Sequence, residues 1–136
     1  MLVLSNSIDQ TVLPGQSITF DTIVLNTGRA ECHRPNSGVV NLTAKNAIYE
    51  LIFNANIGST TEAEQAQLAI AIDNSALLET TMISTTSAAG DLNNVSSGTL
   101  LKTCCCIGCE SVTVINTGTT TVNIGSNPCL RIKRVA

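Results

Sequence analysis

The chain of 136 residues contains no tryptophan, one tyrosine, two phenylalanines and a single histidine. With aromatics at only 2%, a core has to be assembled from Val, Ile, Leu, Ala and Cys rather than from stacked rings. Charge is scarce as well, at 12% of residues, about half the usual quarter. Seven Lys and Arg against ten Asp and Glu leave a net charge of −3. Nucleic-acid binding needs a basic footprint and, for single strands, aromatic platforms, and neither is present. Arg131, Lys133 and Arg134 are the local exception and read as a solvated last strand. No apolar run approaches the roughly 18–20 residues of a membrane-spanning helix. Met1-Leu2-Val3-Leu4 lacks the basic flank and long apolar stretch of a signal peptide, and no Gly-X-Y repeat occurs.

The same scarcity bears on catalysis. A hydrolase triad needs a nucleophile, a base and an orienting group. His33 is the only imidazole, with Cys32 beside it and Glu31 and Asp21 nearby in sequence. Neighbours on a strand point to opposite faces, so Cys32 and His33 do not form a local dyad. The acids Glu62, Glu64, Asp73, Glu79, Asp91 and Glu110 are scattered without calcium-loop spacing. No catalytic residue and no cofactor is assigned, and the chain is expected not to be an enzyme.

What remains is a chain rich in Ser, Thr, Asn and Gly whose apolar residues recur with period two, the signature of strands. Tyr49, Leu51, Phe53, Ala55 and Ile57 alternate with Ile48, Glu50, Ile52, Asn54 and Asn56, and the first set reads as a buried face. Ile18 and Phe20, continuing to Thr22 and Val24, form another such face. Val40 and Leu42 form a third, and Leu68, Ile70 and Ile72 a fourth. Val112 and Val114 lead through Asn116-Thr117-Gly118 to Val122 and Ile124 as a hairpin. Leu130, Ile132 and Val135 then close the chain. Residues 62–67 are good helix formers and suggest one helical turn. Residues 80–98 are polar and turn-rich, with Met82, Leu92 and Val95 holding them to the fold. Roughly eight to ten short strands predict an all-β antiparallel β-sandwich, and a jelly roll fits the length. The expected organisation is an N-terminal arm at 1–10 and a single jelly-roll domain at 11–136.

The order of these elements resembles a family. Val12–Asp21, "VLPGQSITFD", resembles the opening strand of trimeric jelly rolls, and 38–57 resembles that fold's next two strands. Residues 67–77, "QLAIAIDNSAL", resemble a strand and its turn, while 97–124 and "CLRIKRV" resemble the closing strands. The resemblance is to the tumour-necrosis-factor and complement-globular-head superfamily. The low-aromatic, Asn- and Thr-rich style is nearer its phage members and the tip domains of Bacillus exosporium collagen-like glycoproteins. It implies a homotrimer whose task is display or adhesion. With no leader and no collagen stalk in view, the expectation is a phage virion surface protein made in the host cytoplasm. Capsid decoration or a head fibre is the first role, with capsid or fibre proteins as partners. A receptor-binding fibre tip that meets a host surface receptor, or a bacterial spore-coat or cell-surface module, is the alternative.

Six cysteines remain, four of them within "KTCCCIGC". Cys106 and Cys109 have the C-x-x-C spacing of zinc and redox turns, and further ligands would come from Cys104, Cys129, Cys32 or His33. Only one such pair exists, and alternation along a strand sets Cys105 opposite Cys104 and Cys106. A staple among Cys104, Cys106, Cys109 and Cys129 is the second reading. Small apolar filling of core and interface is the third. Packing or a staple is favoured over a metal site.

Overall fold

The computed structural model describes residues 1–105 and 110–136. Among them the chain forms thirteen strands. They are β1 (Leu2–Ser5), β2 (Gln10–Val12), β3 (Thr22–Asn26), β4 (Glu31–His33), β5 (Val40–Leu42), β6 (Ile48–Ser59) and β7 (Gln65–Ile72). Then follow β8 (Ser75–Ala76), β9 (Met82–Thr85), β10 (Asn93–Lys102), β11 (Glu110–Asn116), β12 (Val122–Ile124) and β13 (Cys129–Arg134). Sheet A runs β2-β12-β6-β13-β1-β3, with β10 bonded along the other side of β6. Sheet B runs β4-β5-β11-β7-β8, with β9 beyond β8 on the same strand. The strand pairs are antiparallel, and the architecture is a β-sandwich of jelly-roll type.

The alternation read from the sequence builds this core. Tyr49, Leu51, Phe53 and Ile57 of β6 are fully buried, as are Leu130 and Ile132 beside them on β13. Facing them from sheet B are the buried Val40, Leu42, Leu68, Ile70, Val112 and Val114. Asp73 and Asn74 both take positive φ, the two-residue turn of type I′ that matches strand twist, and they join β7 to β8.

Several expectations are corrected. Ile18 and Phe20 are buried, but Thr22 and Val24 are exposed. Phe20 bridges to Ser37 on the sheet B side, whereas β3 pairs with β1 in sheet A. The chain changes sheets between them, and one alternation cannot describe both halves. Residues 62–67 form no helix: Ala63 takes positive φ in a turn, and β7 begins at Gln65. β11 and β12 are not a hairpin, because the first lies in sheet B and the second in sheet A. Val135 is exposed. Leu2–Ser5, within the stretch read as an arm, is β1, an interior strand between β3 and β13.

One polar residue stands in for a missing ladder bond. Where β8 has ended and β9 has not begun, the buried Thr80 hydroxyl accepts from Ile70 N–H at 2.9 Å and donates to Leu77 C=O at 2.7 Å. Thr80→Val keeps the shape and orphans a buried N–H. We expect a loss of about 1–3 kcal/mol, read as a lower urea midpoint at unchanged m.

Candidate interaction surface

Because the inward residues of β6 fill the core, its other set, Ile48, Glu50, Ile52, Asn54 and Asn56, forms the outer face of sheet A. Register sets Ile52 between Gly98 of β10 and Arg131 of β13. Arg131 pairs with Val3, and Val3 with Leu25. One row along, Glu50 lies between Leu100 and Lys133. Gly98 leaves a notch of about 320 Å³ walled by Glu50, Ile52, Thr99 and Leu100. The backbone requires that glycine, since a Cβ there would lie 2.9 Å from the Leu51 carbonyl and 3.3 Å from Ile52 Cγ1.

The margins of this face are unusual. β3 is bonded on one side only among the described residues, and its Ile23, Val24 and Leu25 are 41, 62 and 43% exposed. β10 is likewise bonded only to β6 among the described residues, and Leu100 on it is 65% exposed. Natural edge strands are blunted with charge, proline or bulges against unwanted pairing. β3 has a register shift but no charge, and β10 has only its terminal Lys102. Two sparsely charged, partly apolar margins therefore flank one sheet.

Among the described residues, the sequence-predicted site residues lie apart. Cys32 is exposed, while His33 turns the other way and is bracketed by two carbonyls, Val39 O at 3.3 Å from Nδ1 and Phe20 O at 3.2 Å from Nε2. It also meets the Phe20 ring edge-on. Its role is to hold the 34–39 loop. Cys129, a free thiol, is half-buried opposite Asn54. Cys104 is exposed; its N–H donates to the Glu110 carboxylate at 2.6 Å, and its C=O accepts from Asn46. Eight residues of chain separate Asn46 from Asn54, roughly 26 Å at strand rise, so Cys129 is out of disulfide reach of Cys104. Cys105 is exposed, and Cys106 and Cys109 lie outside the described residues. Among the described residues no three His, Cys, Asp or Glu side chains are grouped to hold a metal.

Sequence reasoning missed a buried polar set. Glu31 of β4 and Glu110 of β11 flank Leu42 in register and are almost fully buried, each with an Oε2 that has no hydrogen-bond partner among the described residues. The Tyr49 hydroxyl likewise has no partner among the described residues. Burial, reinforced by the Glu31 charge, pushes the Tyr49 phenol above its ordinary range, against an opposing effect of Arg134. Two acids at alternate-strand positions gave no sequence signal of burial. Tyr49→Phe removes an unsatisfied group at constant packing, so we expect stability to hold or rise by up to about 1 kcal/mol in chemical denaturation.

At the other end, Asp21 accepts from the Ser7 hydroxyl at 2.6 Å, the Thr22 hydroxyl at 2.6 Å and Ser7 N–H at 2.9 Å. These bonds hold its carboxyl below the ordinary 3.8, with the Ser7 hydroxyl the leading cause. A depressed folded value means the stabilisation is complete above 3.8 and disappears as pH falls through the folded value. The melting-temperature gap between wild type and Asp21→Asn is therefore expected to be constant near neutrality and to close in acid below that point.

The sequence matches no family model and no curated protein. Among solved structures, the chain is similar to murine APRIL in a crystal at pH 5.0, with a TM-score of 0.61 and 14% identity. That likeness covers 97% of this chain and 98% of the other. A second murine APRIL structure, at pH 8.5, matches with a TM-score of 0.54 and 14% identity over 92% of this chain and 98% of that one. The PRD1 vertex protein P5 matches at a TM-score of 0.49 and 11% identity, over 99% and 96% of the two chains. The chain shares its two-sheet jelly-roll fold with that murine protein.

Proposed function

We propose that the chain is a non-enzymatic interaction module that works as a homotrimer on the surface of a phage virion, as a capsid decoration or head-fibre protein. The observation that carries the assembly is the pair of exposed, sparsely charged margins, β3 and β10, on either side of the outer face of sheet A. The two margins differ from each other, which suits a head-to-tail contact that closes into a ring rather than a two-fold pair. The trimer implied by the family resemblance is such a ring. Leu100 and the Gly98 notch on one copy would meet the Ile23-Val24-Leu25 margin of the next. The sparse charge of the chain supports the same reading, because little has to be desolvated when uncharged strand surface is covered.

Light scattering on the purified chain tests the assembly. Three copies of 14.2 kDa predict a particle of about 43 kDa, and a monomer at tens of micromolar would refute the ring. The virion role is tested separately, by quantifying the protein in purified particles against the capsid protein. A fixed ratio supports decoration or a head fibre. Absence from particles removes the virion role and leaves a bacterial-surface module.

A further inference from the structure

A second surface has a chemistry the trimer does not use. We propose that the trough between β2, β12 and the loop at 86–92 is a binding site for a neutral oligosaccharide. The trough encloses about 340 Å³, within the size range of small-ligand sites, and Asp9, Thr11, Leu92 and Asn123 line it. A second hollow of about 440 Å³ adjoins it, lined by Thr86, Ser87, Asp91 and Asn93 among others. Leu92 belongs to both and stands 41% exposed between them.

The walls are built rather than loose. The Asp91 carbonyl lies on Gly58, where a Cβ would collide with it, and a Cβ at Gly125 would come 3.0 Å from Leu92 Cδ1. Glycine at both positions is what lets the loop and its leucine lie down on sheet A. The loop is tied within itself and to β9: the buried Thr86 donates to the Ala88 carbonyl at 3.1 Å, and Asn93 Nδ2 donates to Ser84 Oγ at 3.2 Å.

The polar groups inside are fixed with one end spare. Asp9 Oδ1 accepts from Ser126 N–H at 2.8 Å, which among the described residues leaves Oδ2 as an open acceptor. Asn123 Oδ1 accepts from the Thr11 hydroxyl at 3.3 Å, which leaves both Nδ2 protons as donors. Gln10, also on the wall, is spent on Thr19, whose N–H it binds through Oε1 and whose C=O it binds through Nε2. An open acceptor and an open double donor in one trough complement a pair of sugar hydroxyls, each of which both gives and accepts. Leu92 offers an apolar ridge for the C–H face of a ring. No Lys, Arg or His lines either hollow, and both Asp9 and Asp91 do, so anionic ligands are disfavoured. Two hollows sharing one ridge suit a chain of sugars rather than a single ring.

The site lies at the Ile57 end of β6, seven residues from the Glu50 row that carries Leu100, about 23 Å at strand rise. It does not depend on the trimer, and the two readings fail separately. The test is an NMR titration of the labelled full chain with maltotriose, cellotriose, chitotriose and mannotriose, with sialyllactose as the anionic comparison. We expect at least one neutral trisaccharide to shift the amide resonances of residues 90–92 and 123–125. Asn123→Ala should weaken that binding at least about tenfold, the loss of one or two hydrogen bonds, with the rest of the spectrum unchanged. Leu92→Ser should weaken it independently. No shift with any neutral sugar at about 10 mM, shifts confined elsewhere, or binding that both variants retain would each overturn the proposal. A preference for sialyllactose would do so too.

Discussion

Phe53→Ala is expected to remove about 3–5 kcal/mol of folding free energy, a large share of the 5–15 kcal/mol a domain of this kind possesses. Phe53 is fully buried at the middle of β6 and is flanked in register by Leu130 of β13 and Ser97 of β10. Strands bonded on both sides cannot close in on the space that a lost ring leaves. The only other phenylalanine is Phe20, itself buried, so no spare ring exists to refill the gap. The measurement is a urea denaturation midpoint together with a melting temperature lowered by on the order of 10 °C. Asn54→Ala, one residue along and facing out, should stay within about 0.5 kcal/mol. Equal losses at the two sites would mean that the faces of β6 are assigned the wrong way round.

The second large effect concerns assembly. Leu100→Arg places a charge at the margin of β10, beside the Gly98 notch and in register with Glu50. An exposed position tolerates such a change in an isolated domain, usually within about 0.5 kcal/mol. In a ring the same arginine is driven into an apolar contact at every interface, three times per particle. We expect light scattering to fall from about 43 kDa to the 14.2 kDa of one chain, while the circular dichroism spectrum keeps its strand signature. Val24→Arg on the opposite margin should do the same. Leu78→Arg is the comparison, because Leu78 is 79% exposed and lies in a 3₁₀ turn rather than on either margin strand. A particle that stays assembled with both margin variants would place the interface elsewhere.

The contrast between Phe53 and Val24 shows what could be read without coordinates. In β6, one face buried and one face free is a local property, and alternation alone found every inward residue from Tyr49 to Ile57. The same rule misled at Val24. Its alternation continues from Phe20, but the backbone leaves one sheet and joins the other in between, and nothing in side-chain polarity records that step. The β11–β12 connection failed for the same reason, since a turn between two strands looks alike whether they pair or part. Good helix formers at 62–67 were overridden because the chain there enters a strand already claimed by β11 and β9. The apolar margins were visible as residues but not as exposed ones. An exposed apolar strand has the same composition as a buried one. The trough at Leu92 was hidden further, because its glycines and amides come from β2, β12 and a distant loop.

The placement of β13 has a consequence in time. This last strand lies between β6 and β1, and Leu2 is opposite Ile132. As the chain leaves the ribosome, β1 has no neighbour on that side, and β6 lacks one through its middle, until residues 129–134 have been made. Sheet A therefore cannot close progressively, and it closes through pairings between Leu2–Ser5 and Cys129–Arg134 that are distant in sequence. A stalled or truncated product would display two unfilled strand edges rather than a smaller stable domain. Sheet A is whole only once β13 has taken its place between β1 and β6.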